Sequence, residues 1–247
     1  MEERPLPPAP SVSDSFINIL ASPSTLFEGF HLKASAPSLW AVPLIVSVLF
    51  IGLFMYVQFN ISPFKEQMMD AQRAAIQKMV ERGTLTQEQA DAAAEGAAMR
   101  GSTQMAIGMA AAVIMMLIFF FLGGLLLWLA AKVALKAPIN YGKTLELYGI
   151  SNWIGIIGGV VTLMLMFALG TMHGRPAASL AVMDSFDLTN TTHKYLAALD
   201  VFAIWQTAII GIAFSKISGK SMGVSMGVVF GLWIVWVVAR VMLGFGG

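Results

Sequence analysis

Five apolar runs alternate with polar connections along the chain, at about residues 39–59, 104–135, 144–169, 196–214 and 219–243. A helix needs roughly 20 apolar residues to cross a bilayer, so these runs are read as spans 1 to 5. Span 1 has Trp40 and Tyr56 near its ends, where aromatic belts occur, and Pro43 in its first turn, where proline costs little. Span 2 exceeds one crossing and must tilt or project. Span 3 carries Gly149, Gly155, Gly158, Gly159 and Gly170, spaced for close packing.

Span 5 has the most regular pattern. Gly219, Gly223, Gly227 and Gly231 recur at every fourth position, which places them on one face of a helix. Lipid is as apolar as leucine, so small residues join membrane helices by letting backbones approach. Ser221 and Ser225 flank the stripe and could hydrogen-bond across it. The stripe predicts a tight seam, within the chain against span 4 or 3, or between copies. Against this stands the general abundance of glycine in membrane helices.

The polar stretches complete the picture. Residues 1–12 hold four prolines in their first ten positions and predict a flexible tail. Two short apolar faces follow, one with Phe16, Ile19 and Leu20 after a cap at Ser13 or Asp14, the other with Leu26, Phe27 and Phe30 after Ser22-Pro23. They suit amphipathic segments at a membrane interface or packing on the chain itself. Residues 62–100 read as an extramembrane helical hairpin, broken at Gly83, with Thr86 and Gln89 at capping-box spacing. Its mixed charge is a solvated face or a docking surface. Residues 171–195 read as a polar loop holding one short interfacial helix. The whole is an all-α polytopic bundle in one membrane domain, 13–247.

Composition agrees: 57% of the 247 residues are hydrophobic and 12% charged, against about 25% charged in soluble domains. The net charge of +1 gives no basic surface for nucleic acid, and the absence of cysteine excludes disulfides and thiol chemistry. Residues 1–30 lack the basic start and apolar core of a cleaved leader. The three histidines share no metal-ligand spacing, no Ser–His arrangement lies within the spans, and no phosphate-cradling loop exists, so neither catalysis nor a cofactor is expected.

Intramembrane polar residues are costly and often functional. Asp200, one turn into span 4, and Arg240, near the end of span 5, would lie toward the same membrane face. They read either as a pair or as an aspartate facing interfacial water and a snorkelling arginine. Glu146, with Lys143 and Lys136, reads as interfacial charge balance. Asn152 and Gln206 lie deeper and suit hydrogen bonds between helices.

Five spans place the termini on opposite sides. Lysines and arginines divide seven against eight, but the two short connections, 132–143 and 216–220, are basic without acids. Short loops weigh most, which favours a cytoplasmic N-terminus.

Three stretches resemble the Yip-domain (Ypt-interacting) family of five-span membrane proteins: SFINILASPSTLFEGF before span 1, INYGKTLELYGISNW leading span 3, and DVFAIWQTAIIGIAFSKISGKS through span 4. With the span order they cover most of residues 15–243. Members commonly have a proline inside span 3, where Asn152-Trp153 stands here. The resemblance implies a cytoplasmic N-terminus, and the short loops, with no large folded cytoplasmic domain, suggest a prokaryotic member in the plasma (inner) membrane. Eukaryotic members are implicated in vesicle traffic and in binding small GTPases, and some bacterial relatives look like accessories of ABC-type exporters. The family offers no catalytic residues. Two functions are therefore expected. One is a non-catalytic adaptor that docks an ABC-type exporter or a small GTPase, through the hairpin or through Phe16, Pro23, Phe27 and Phe30. The other is a channel or transporter subunit with a polar pathway around Asn152, Asp200 and Gln206. Membrane lipids, and further copies of the chain, are expected partners.

Overall fold

The structure is a computed structural model that describes residues 6–99, 101–187 and 190–243. In chain order its helices are α1 (Val12–Ala21), α2 (Pro23–Leu26), α3 (Ser38–Asn60), α4 (Phe64–Glu81), α5 (Gln87–Met99), α6 (Gly101–Val133), α7 (Tyr141–Leu169), α8 (Thr191–Ala198), α9 (Val201–Ser218) and α10 (Met222–Met242). Five helices are long and apolar enough to cross a membrane: α3, the Met105–Val133 part of α6, α7, α9 and α10. The protein is an all-helical, multi-pass membrane bundle. Large apolar side chains cover its outside: Ile45, Leu49, Ile107, Ile114 and Val235 are each more than half exposed. That surface is suited to lipid.

The hub of the bundle is α7, which packs on α3, α6, α9 and α1. Asn140 caps it by accepting from Lys143 N at 2.8 Å. Its glycines make the seams. A Cβ at Gly149 would lie 2.3 Å from Trp40 Cα, so the backbones of α3 and α7 touch there. Gly158 likewise leaves room for Phe202 of α9, and Gly159 for Phe50 of α3. Gly170 instead ends the helix with φ of 65°.

The organising role expected of the span 5 stripe is not found within the chain. Cβ atoms at Gly223, Gly227 and Gly231 would meet nothing within 4 Å among the described residues, so this face of α10 is open to them. Gly219 is not part of the stripe. It terminates α9 with φ of 68°, and α10 starts only at Met222. The α9–α10 hairpin does form, but on the other side of α10. There Gly211 of α9 accommodates Met226, whose Sδ would lie 2.5 Å from an added Cβ. Ser221 caps α10, accepting from Val224 N, and Ser225 is buried with no hydrogen-bond partner among the described residues. Neither serine crosses to a neighbouring helix.

The predicted hairpin is α4 and α5. Its capping box is formed: Gln89 N donates to Thr86 Oγ1 at 3.2 Å, and Thr86 N to Gln89 Oε1 at 3.0 Å. It is not fully detached from the bundle. Phe64 is buried against Val57 and Met166, and Gln67 bridges the end of α7, donating to Gly170 O at 2.7 Å and accepting from Met172 N at 2.9 Å.

Two boundaries move. Span 4 was expected at 196–214, but the chain breaks at Leu199 and Asp200 between α8 and α9. Asp200 is therefore the N-cap of α9, accepting from Phe202 N and Ala203 N at 2.8 and 3.1 Å. The cap of α1 is Ser11 rather than Ser13 or Asp14. Of the tail, residues 1–5 lie outside the described residues. Pro7 O accepts from Ala34 N at 2.8 Å, and Ala9 packs on the core.

Candidate functional site

Call the end of the bundle bearing α1 and α2 the leading end, and the opposite end the hairpin end. Polar constellations occupy both.

At the leading end the chain from α1 to Ser38 folds back over the bundle. Phe27 and Phe30 are fully buried, sharing a core with Ile139, Leu147, Ile150, Phe214 and Ile217. Of the four residues proposed to dock a partner, these two face inward, so that role is corrected: they are core. Pro23 is the first residue of α2. Phe16 is 37% exposed and meets Trp153 edge-on at 5.1 Å. With Ile17 and Leu20 it leaves an outward apolar face on α1, as a segment at a membrane surface requires.

Beneath this segment lies a buried ion pair. Lys143 Nζ meets Glu146 Oε2 at 2.7 Å, with side chains 6% and 1% exposed. Lys143 also donates to Ala34 O at 2.7 Å and stands 4.8 Å over the Phe30 ring. Glu146 Oε1 accepts from Ser35 Oγ at 2.6 Å and Ala36 N at 2.9 Å. The interfacial charge balance expected of Glu146 is thus corrected. It is a fully satisfied clasp that ties the leading segment to α7. Satisfaction matters because an unpaired charge at this depth would carry the whole desolvation cost.

At the hairpin end, residues 170–200 bring a third charge to Asp200 and Arg240. Ala177 bridges Asp200 through two backbone hydrogen bonds, Ala178 N donating to Leu199 O and Val201 N to Pro176 O. These backbone bonds pin Arg175 beside the start of α9. Arg175, Asp200 and Arg240 line one end of a cavity of about 430 Å³ set among α6, α7, α9 and α10. Arg175 and Asp200 both act electrostatically on Arg240, yet no ion pair within 4.0 Å joins the three among the described residues. Arg240 Nε is buried without a partner there. Burial pulls the Arg175 guanidinium below its ordinary value, and Asp200 partly offsets this. Nearby His173, against the Phe186 ring at 4.8 Å, is also pulled down, by burial and then by Arg175. Arg175 lay in a polar loop in the sequence, and only the fold of that loop reveals it as part of this site.

The deeper polar residues divide. Asn152 Nδ2 donates to Ser47 Oγ of α3 at 2.9 Å, and Gln206 Nε2 to Ser151 Oγ of α7 at 3.3 Å. Both join helices. Gln206 and Asp200 also line the cavity, but Asn152 does not. Among the described residues no three His, Asp or Glu side chains converge as a metal site would require.

Residues 58–96, the last turn of α3 and most of the hairpin, match a protein family of unknown function, DUF2680. The match leaves the rest of α3 and all of the other four spans outside it. No curated protein and no solved structure matches the chain. The Yip-domain resemblance rests on its three stretches alone.

Proposed function

We propose that the protein is a non-catalytic membrane accessory protein that docks a membrane partner through the α4–α5 hairpin. The observation that carries this reading is the hairpin itself. It is not one of the five apolar spans, is capped internally by Thr86 and Gln89, and is fixed to the rest of the protein at its base through Phe64 and Gln67 and in the last turn of α4 by the Lys78–Asp187 ion pair at 3.7 Å. A mixed-charge helical pair that buries little of its own surface is built to meet something else. The similarity of residues 58–96 to a family in its own right supports treating this segment as a unit.

The hairpin and the leading segment lie at opposite ends of the bundle. With a cytoplasmic N-terminus the hairpin stands outside, which favours a partner with extracytoplasmic surface, such as an ABC-type exporter, over a small GTPase. Burial of Phe27 and Phe30 points the same way, since it removes the apolar anchors a cytoplasmic GTPase would use. The transporter reading is less well supported, because Asn152 and Gln206 already hydrogen-bond to serines of neighbouring helices.

The test is site-specific photo-crosslinking in intact cells from Arg82 and Glu88, both exposed, with Val235 on the lipid face as control. Crosslinks from the hairpin to a membrane exporter, absent from Val235, support docking. Crosslinks from neither hairpin position, with the protein correctly inserted, reject it.

A further inference from the structure

We infer that the cavity at the hairpin end is a binding site for one anionic, phosphate-bearing membrane lipid, with its headgroup held between Arg175 and Arg240 and one chain running inward between α6 and α9. Three features carry this.

The first is charge. Two guanidinium groups and one carboxylate meet at the mouth, an excess of one positive charge. Oδ1 of Asp200 is already engaged by two amides at the start of α9, and neither arginine lies within 4.0 Å of the carboxylate among the described residues. Neither arginine side chain has an ion pair or hydrogen bond among the described residues, and Arg240 Nε is buried. Guanidinium forks match phosphate oxygens in bidentate geometry, so a phosphate supplies the missing acceptors. A neutral occupant would leave the excess positive charge uncompensated.

The second is the gradient of polarity. From Arg240 the lining of α10 passes through Trp236 and Trp233 to Val229, a run of about 16 Å at the helical rise. Ile210, Leu127 and Tyr148 lie toward the inner end, and the two polar residues of α9 on the way, Gln206 and Thr207, already donate to Ser151 Oγ and Ala203 O. A headgroup at the membrane surface with a chain directed toward the midplane has this polarity. A free inorganic anion would use only the mouth.

The third is size. At about 430 Å³ the space falls within the roughly 300–1,000 Å³ of ordinary ligand sites. It takes a headgroup and the adjoining part of one chain, with the remainder in the surrounding bilayer.

The experiment is native mass spectrometry of the full chain released from nanodiscs of phosphatidylglycerol or of phosphatidylcholine with identical chains. The expected result is one phosphatidylglycerol retained per protein, with phosphatidylcholine retained about tenfold less or weaker. The two lipids share the phosphate, but the choline cation of phosphatidylcholine would stand beside two guanidinium groups, and repulsion between like charges at such a site has an effect of that order. Arg175→Gln with Arg240→Gln should reduce phosphatidylglycerol to the phosphatidylcholine level, while Arg175→Lys with Arg240→Lys, which keeps the charge, should retain more of it. Ala203→Phe fills the cavity without touching a charge and should expel the lipid too, which covers the case in which the glutamine variant fails to fold. Equal retention of the two lipids, or full retention by a folded Ala203→Phe protein, overturns the proposal. So does displacement of the lipid by inorganic phosphate alone, which would make the site one for a soluble anion. None of these outcomes depends on docking through the hairpin.

Discussion

Lys143 and Glu146 form a 2.7 Å ion pair at the start of α7, and both side chains are almost completely buried. Each also holds the backbone of the leading segment, at Ala34 and Ala36. The pair therefore latches residues that precede α3 to the central helix of the bundle.

Removing one partner should be far worse than removing both. Glu146→Ala leaves the lysine buried and unpaired, an expected loss of ~3–5 kcal/mol. Lys143→Met with Glu146→Leu should cost less than the sum of the single changes. Unfolding of the purified protein in detergent measures stability, and proteolysis of residues 13–37 reports release of the segment. Additive single and double changes would mean that the pair is not coupled.

The glycines of α7 and α10 should respond in opposite ways. Leucine at Gly149 must displace the α3 backbone at Trp40, and overpacking of this kind costs at least ~1–3 kcal/mol. Leucine at Gly223 or Gly227 enters open space within the monomer and should leave monomer stability unchanged. Thermal or SDS-driven unfolding compares them. Sizing in detergent adds a second readout: if the stripe joins copies, Gly223→Leu and Gly227→Leu dissociate an oligomer without unfolding the monomer.

Acid should loosen the loop at the hairpin end. Burial and Arg175 hold the folded pKa of His173 below its ordinary 6.5. Below that value the unfolded chain binds more protons, so stability falls as pH drops from about 6.5 through the lower folded value. His173→Gln should flatten this part of the stability profile. An unchanged profile in the variant would assign the acid sensitivity to other groups.

Topology can be measured without background, because the chain contains no cysteine. Single cysteines at Ser13 and Lys220 should label from the cytoplasm, and one at Gln89 from the opposite side. Cytoplasmic labelling at Gln89 would invert the bundle and move the docking surface to the side where a small GTPase could reach it.

What the sequence determined by itself was local. Run length and composition located all five spans, because a bilayer requires about 20 apolar residues in a row. Thr86, Gln89 and Gly83 located the hairpin and its caps, since capping depends on residues three apart. The clustered glycines of span 3 marked a seam that the structure forms at Gly149, Gly158 and Gly159. Which way each face turns was decided only by the tertiary structure. Helical spacing places Gly223, Gly227 and Gly231 on one face, but lipid and protein core are equally apolar, so nothing in their pattern says that this face looks outward. Phe27 and Phe30 are buried because residues distant in the chain, in α7 and α9, close over them. Arg175 joins Asp200 and Arg240 because two backbone hydrogen bonds hold residues 176–178 against the start of α9, a pairing of remote amides and carbonyls that carries no side-chain signature.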